Sequence, residues 1–546
     1  MSSTESRNIS QNPQRQRSHA RQSLRKRRGD LAVLTHGDLV GRATKSFQGT
    51  LVALCVVILL GAIVLVFRRP DYVPAFLGIS LASGVPIAYW FTQSQKSLPV
   101  MPVFVLQQAA IYMMPLFMEN ESLEGLPEGV LGNSALSIML FLILLPVGWY
   151  FGEQVQRPMP SKWNISLGGL DGGKGRAMLI ALTLLSLGFI FELLLFTNVI
   201  FALLPGGLAG LFPMLRTFAA ASVSLGALLG GYAVSARGGA SQSIYYWLLL
   251  AGITILSISG ILISAATGLV VAATIGQALG ARRVPWVFLG TTMIIIGYLN
   301  LGKFTMRERY WEAMGGSKIE KVAGKAVSNL TLTQLPGFYA EWAAASAEKV
   351  ARRLSTTKGP TQYDGDEGQS LLDRINNYQN MVFVVNAQQV LHQRPLWGET
   401  YTLIPPLLIP RFLWADKPRA HEGQILLNLH YGRQNSTEDT EKTYVAWGLL
   451  PEAVGNFGLW LGPIILGPVL GFLFGLLETW SRHKRLFSVE GLLALGLLLQ
   501  VLISFEMTAS VFLTSTFQMI VAVTVGATAL RIVLNSSEHE RAQESY

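Results

Sequence analysis

The sequence predicts an all-α polytopic membrane protein with about 12 transmembrane helices and one large, partly helical external loop. Three observations predict it. Residues are 50% hydrophobic and only 14% charged, where a soluble domain carries about 25% charged residues. Mean hydropathy is positive, +0.39. Apolar runs close to the ~20-residue length that spans a bilayer recur along much of the chain.

Taken in order, residues 1–48 form a basic tail expected to be disordered. Arg7, Arg15, Arg17, Arg21, Arg25, Lys26, Arg27 and Arg28 crowd it, and they account for much of the net charge of +10. Such a tail is held on the cytoplasmic side and drawn to anionic lipid. That reading is favoured over nucleic-acid binding. The first apolar run begins near residue 50, too far along for a cleaved signal peptide, and is long enough to be retained as a span. It holds the single cysteine, Cys55, so no intramolecular disulfide forms.

The spans read as 50–67, 72–93, 100–118, 134–151, 177–200, 213–235, 244–263, 265–281, 284–301, 458–478, 488–506 and 511–531. The stretch 244–281 is divided only by small residues at Ser264 to Gly268. Either two short helices or one helix and a re-entrant piece fits it. Residues 49–301 thus form an N-terminal bundle, 302–457 a large loop, 458–531 a C-terminal trio of helices and 532–546 a cytoplasmic tail.

Charge in the short loops orients the chain. Arg157, Lys162, Lys174 and Arg176 fall inside with the basic tail, as do Arg237, Arg282, Arg283, Arg482, Lys484 and Arg485. Glu119, Glu121, Glu124 and Glu128 fall outside. Arg68 and Arg69 run against the trend. The majority gives cytoplasmic termini and an external loop at 302–457. Within that loop Leu371, Ile375, Tyr378, Val382 and Val385 recur at helical spacing, and 337–354 reads as a second amphipathic helix. Both stripes are expected to pack on neighbouring helices or on the bilayer surface.

Few motifs carry chemistry. Gly168, Gly173 and Lys174 mimic the first part of a phosphate-cradling loop. Gly175 stands where a magnesium-holding hydroxyl belongs, and no strand precedes the motif. No metal site is expected, because His392, His421 and His430 lack paired ligand spacing, and no cofactor is expected. Glu192 and Arg216 are charges within spans, where ionisable groups face a protein interior or a watery cavity. A mutual ion pair and an outward-facing anion site both fit them. Glu506 ends a span close to the same side.

The densest signal is Gly398-Glu-Thr-Tyr401, then Ile409-Pro-Arg-Phe-Leu-Trp-Ala-Asp-Lys-Pro-Arg419. Aromatic faces at Tyr401 and Trp414 suit a sugar ring, and Arg411, Lys417 and Arg419 suit a phosphate beside it. Pro410 and Pro418 exclude one continuous helix through the segment. A juxtamembrane basic-aromatic anchor fits the same residues.

This segment resembles the external loop of bacterial oligosaccharide repeat-unit polymerases, the O-antigen polymerase family. The resemblance rests on Gly398, Thr400 and Tyr401; on Ile409, Pro410, Arg411, Trp414, Lys417 and Pro418; and on Glu452 followed by Asn456-Phe457-Gly458. It covers about sixty residues in detail. Ala415 departs from the proline common there.

The resemblance implies metal-independent glycosyl transfer on the outer face of a bacterial inner membrane. Undecaprenyl-diphosphate-linked repeat units would be joined into O-antigen, capsule or exopolysaccharide. Lipid bilayer, a repeat-unit flippase and a chain-length regulator are the implied partners. Arg411, Arg216, Lys417, Arg419 and Arg374 would meet the diphosphate, and Tyr401 and Trp414 the sugar. Glu452 would act as base or cap its helix, with Glu192, Asn456 and Glu506 in support. A glycan ligase and a lipid-linked glycan transporter are the alternatives.

Overall fold

A computed structural model describes residues 55–93, 97–117, 123–155, 174–203, 212–235, 240–261, 263–281, 284–311, 330–355, 376–409, 413–414, 416–437, 440, 445–485, 488–504 and 506–544. The described residues are helical, with no β-strand. The helices are α1 (Cys55–Arg68), α2 (Val73–Thr92), α3 (Val100–Met113), α4 (Val130–Val155), α5 (Lys174–Phe196), α6 (Phe212–Ser235), α7 (Ala240–Ile258), α8 (Ile263–Ala281) and α9 (Trp286–Trp311). There follow α10 (Leu335–Ser355), α11 (Asn377–Gln389), α12 (Glu422–His430), α13 (Leu449–Ser481), α14 (Val489–Ile503) and α15 (Ala509–Glu544).

Among the described residues, 8 helical segments are long and apolar enough to cross a membrane. Shorter apolar helices occupy Cys55–Arg68, Ser243–Ile258, Ala266–Ala281 and Val489–Ile503. Length separates the two groups. At about 1.5 Å per residue a helix needs about 20 residues to cross 30 Å of hydrocarbon, and α14 has 15.

The stretch 244–281 resolves into two helices. The break falls at Ser259 to Ile261, ahead of the expected small-residue stretch, which lies inside α8. Ile261 takes a left-handed backbone, φ 55°. That conformation is costly for a β-branched side chain and ends the helix without glycine or proline in that position.

The central packing is α4 against α13. A Cβ placed on Gly148 would stand 1.8 Å from the Pro468 carbonyl oxygen, and one on Gly471 would stand 2.0 Å from that of Leu145. Only glycine lets these backbones approach so closely. Trp149, fully buried, lies within the seam, its carbonyl facing Gly475.

Two helices of the large loop dock on this body. Helix α10 crosses α9: the Tyr298 hydroxyl donates to the Ala343 carbonyl at 2.6 Å, and the Trp342 indole donates to that of Leu299 at 2.7 Å. Helix α11 buries Tyr378, Val382 and Val385, the described part of the expected stripe. Its polar face is buried too. Asn380 donates to the Asn377 side chain at 2.7 Å and to the Trp447 carbonyl at 3.0 Å. Leu371, Ile375 and Arg374 lie outside the described residues.

Helix α13 is two helices joined at a sharp kink, and a Cβ on Gly462 would stand 2.7 Å from the Val454 nitrogen. Gly458 sits at φ 86°, ψ 172° inside it, a left-handed extended geometry open to glycine and closed to most residues. A short segment, 449–457, therefore precedes the long apolar one, and the kink falls at the residue where the sequence predicts the span to begin.

Candidate functional site

The kink at Gly458 sets up the site. A helix that ends leaves its last carbonyls without intrahelical donors. Here the loop supplies them. The Val454 oxygen accepts from the Gln388 amide at 2.8 Å. Gly455 accepts from the Leu396 N–H at 3.0 Å and from the Tyr431 hydroxyl at 2.7 Å. Asn456 accepts from the Trp397 N–H at 2.7 Å. The chain reaches these acceptors through a tight reversal at Trp397 and Gly398, whose φ angles are 51° and 92°.

Glu452 locks the same junction from inside. It is fully buried. One carboxylate oxygen accepts from the Thr400 hydroxyl at 2.7 Å, and the other from the backbone N–H of Ala509, the first residue of α15. The carboxylate thus caps a helix other than its own, at the positive end of that helix's dipole. Asn456 completes the knot, donating to the Thr400 hydroxyl oxygen at 2.9 Å and accepting weakly from the Thr400 N–H at 3.4 Å. Tyr401 stacks on Phe457, ring centroids 5.5 Å apart and 20° from parallel. Burial first, and the Glu452 carboxylate second, push the Tyr401 phenol well above its usual pKa, so it stays a neutral donor.

These contacts unite three of the sequence-predicted residues, Glu452, Asn456 and Tyr401, with Thr400 as their common link. They also place Glu452 in a capping geometry. A carboxylate with no exposed surface and both oxygens engaged reaches no acceptor hydroxyl in this conformation, so the geometry favours helix capping over general base catalysis.

The segment just after Arg419 meets the knot, since the Ser510 hydroxyl donates to the Ala420 carbonyl at 3.1 Å. Lys417 donates to the carbonyls of Leu407 and Ile409 at 2.8 and 2.6 Å. Its ammonium therefore ties the loop to itself. Trp414 is 41% exposed, and Arg419 is exposed. Arg411 and Arg374 lie outside the described residues, as do Gly168 and Gly173 of the phosphate-loop mimic. Arg216 is exposed near the start of α6 and Glu192 is half-buried on α5. Thr217, next to Arg216, donates to Gln518 of α15 at 3.3 Å. That contact is about 13 Å along the helix from Ala509. Glu506 is half-buried just before α15.

Sequence reasoning misses the partners of one residue here, and misses a second residue entirely. Thr400 was matched as part of a motif, yet its partners are 52 and 56 residues away, so no local spacing reveals them. Arg433 is half-buried against the rings of Phe383 and Trp447, its guanidinium carbon 5.4 and 5.9 Å from their centroids. Burial lowers its pKa to about 10. Among the described residues no group of three or more His, Cys, Asp or Glu could hold a metal ion.

No family model matches the chain, and no curated protein or solved structure does either.

Proposed function

We propose that this protein polymerises lipid-diphosphate-linked oligosaccharide repeat units at the outer face of a bacterial inner membrane. Both termini are cytoplasmic in this reading and residues 302–457 are external, as the loop charges suggest. The supporting observation is that two of the three pieces carrying the family resemblance form one hydrogen-bonded unit. Gly398 to Tyr401 and Glu452 to Gly458 meet through Thr400, Glu452 and Asn456. That two parts of the motif hold one another supports the reading.

In this reading the knot positions the 409–419 segment beside the membrane entry. Arg411 and Arg419 stabilise charge growing on the leaving diphosphate, and Arg216 approaches from α6. Lys417 shapes the segment and adds positive charge near it. Trp414 offers an exposed ring face to a sugar. Glu452 and Asn456 are positioning residues.

The test is an assay of the purified protein in nanodiscs with lipid-linked repeat units. Wild type is expected to give a ladder of polymer and release the lipid diphosphate. Arg411→Ala is expected to lower the rate by about 100-fold or more, the scale for losing one charge-stabilising donor. Unpolymerised repeat units with intact wild-type protein would refute the reading and favour a transporter. Transfer of preformed long glycan to a second acceptor, without chain growth, would mark a ligase.

A further inference from the structure

We infer that Arg433 forms an oxyanion subsite of its own, separate from the 409–419 segment, taking a phosphate or a carboxylate of the bound glycan. The inference rests on the glycan reading only for what carries the oxyanion.

Three observations carry it. First, the guanidinium has walls and no counter-ion. Phe383 of α11 and Trp447, an edge-to-face pair with centroids 6.1 Å apart, form a corner against it, and among the described residues no carboxylate pairs with it. Among the described residues its one side-chain hydrogen bond is to the Ala446 carbonyl at 3.3 Å. Second, its other donors are not sealed. An arginine presents five N–H groups in a rigid fork, and none of this guanidinium's nitrogens is among the buried atoms that lack a partner. The unused edge therefore reaches solvent. A cation resting against an edge-to-face aromatic corner and open along its donor edge has the shape that binds an oxyanion with two parallel hydrogen bonds. Third, the walls are fixed and the neighbourhood suits a sugar. The Trp447 indole donates to Asn428 at 2.7 Å, and Tyr431 lies 5.7 Å from Trp447, ring to ring.

Partial burial without a counter-ion is costly for a cation, and an incoming oxyanion offsets that cost. Neutral sugars would not.

The experiment is arginine footprinting of wild-type protein in nanodiscs made only of zwitterionic lipid. Phenylglyoxal modification of Arg433 is followed by mass spectrometry, with exposed Arg419 as the internal reference. Pyrophosphate, glucuronate and glucose are the probes. The inference expects Arg433 to react without ligand and to be protected by pyrophosphate, by glucuronate or by both. The stronger of the two identifies the group as phosphate or carboxylate. Glucose gives no protection. Arg433→Lys keeps the charge and loses the fork. It is expected to weaken binding of the protecting probe about tenfold or more, the loss of a charge-assisted hydrogen bond.

Equal protection by glucose overturns the inference, as does no protection by either anion. An Arg433 that does not react without ligand also overturns it, because its donor edge would then be closed. The footprint needs no folded variant. Binding that survives alongside a failed polymerisation assay refutes the proposed reaction and leaves the subsite standing. Polymerisation with an unprotected Arg433 does the reverse.

Discussion

The two ends of α13 carry the same device in different company. At one end Glu452 receives the Ala509 N–H that starts α15. At the other Glu478 receives the Met101 N–H, in the first turn of α3, at 2.7 Å. Both carboxylates are fully buried. Each pins the positive end of a neighbouring helix to α13. Their remaining partners differ. Glu478 takes the Trp149 indole and the Ser97 hydroxyl, each at 3.0 Å, groups that belong to helix packing. Glu452 takes Thr400 from the aromatic and basic loop. A buried glutamate in this fold is therefore a fastening, and what differs between the ends is the segment fastened. The chemistry of the Glu452 end resides in the loop it holds.

The comparison breaks most decisively at Glu478. Glu478→Ala orphans three donors in the interior, at about 1–3 kcal/mol for each buried group left unmatched. Thermal unfolding in nanodiscs is expected to show a large drop in midpoint or loss of folded protein. An unchanged midpoint would mean that the helix capping contributes nothing.

Glu452→Gln and Thr400→Val sharpen the other end. Each is expected to destabilise by about 1–2 kcal/mol, with a coupling of about 1 kcal/mol in the double variant. Polymer yield should fall in step with stability. Should Glu452→Gln abolish the polymer while unfolding is unaltered, the capping role fails and the base role returns.

The smallest effect concerns pH. His421, at the start of α12, bonds to Gln424 at 2.7 Å, and burial holds its pKa below the usual 6.5. Between the lowered value and 6.5 the unfolded chain binds a proton that the folded chain does not. Stability is then complete above the ordinary histidine range and declines as pH falls below it. His421→Asn is expected to flatten that decline in unfolding midpoints measured from neutral to mildly acidic pH. An unaltered slope assigns it to other groups.

Hydropathy made the apolar helices legible, because spanning length and low charge leave a coarse, local mark. The α7–α8 break was misplaced because Ile261 bears no sequence sign of a left-handed backbone. Helix α11 was read by its stripe, yet Asn377 and Asn380 are buried beside it. Their partners come from distant segments and leave no trace in local periodicity. The same holds for Glu452. Its role depends on Ala509, 57 residues on, so the sequence offers base and cap alike. Arg433 escaped notice because its walls, Phe383 and Trp447, lie on either side of it in the chain and share no motif.

The Glu452–Ala509 contact also fixes an order of assembly. A nascent chain emerges N-terminus first, at about 5–20 residues per second. When Glu452 has been made, its partner is still 57 residues from synthesis. For several seconds the carboxylate has no helix to cap, and the loop junction has no stable mate. The junction therefore matures last, after the start of α15 arrives. Any ribosomal stall or truncation short of Ala509 would yield a chain with its apolar bundle made and its loop unfastened.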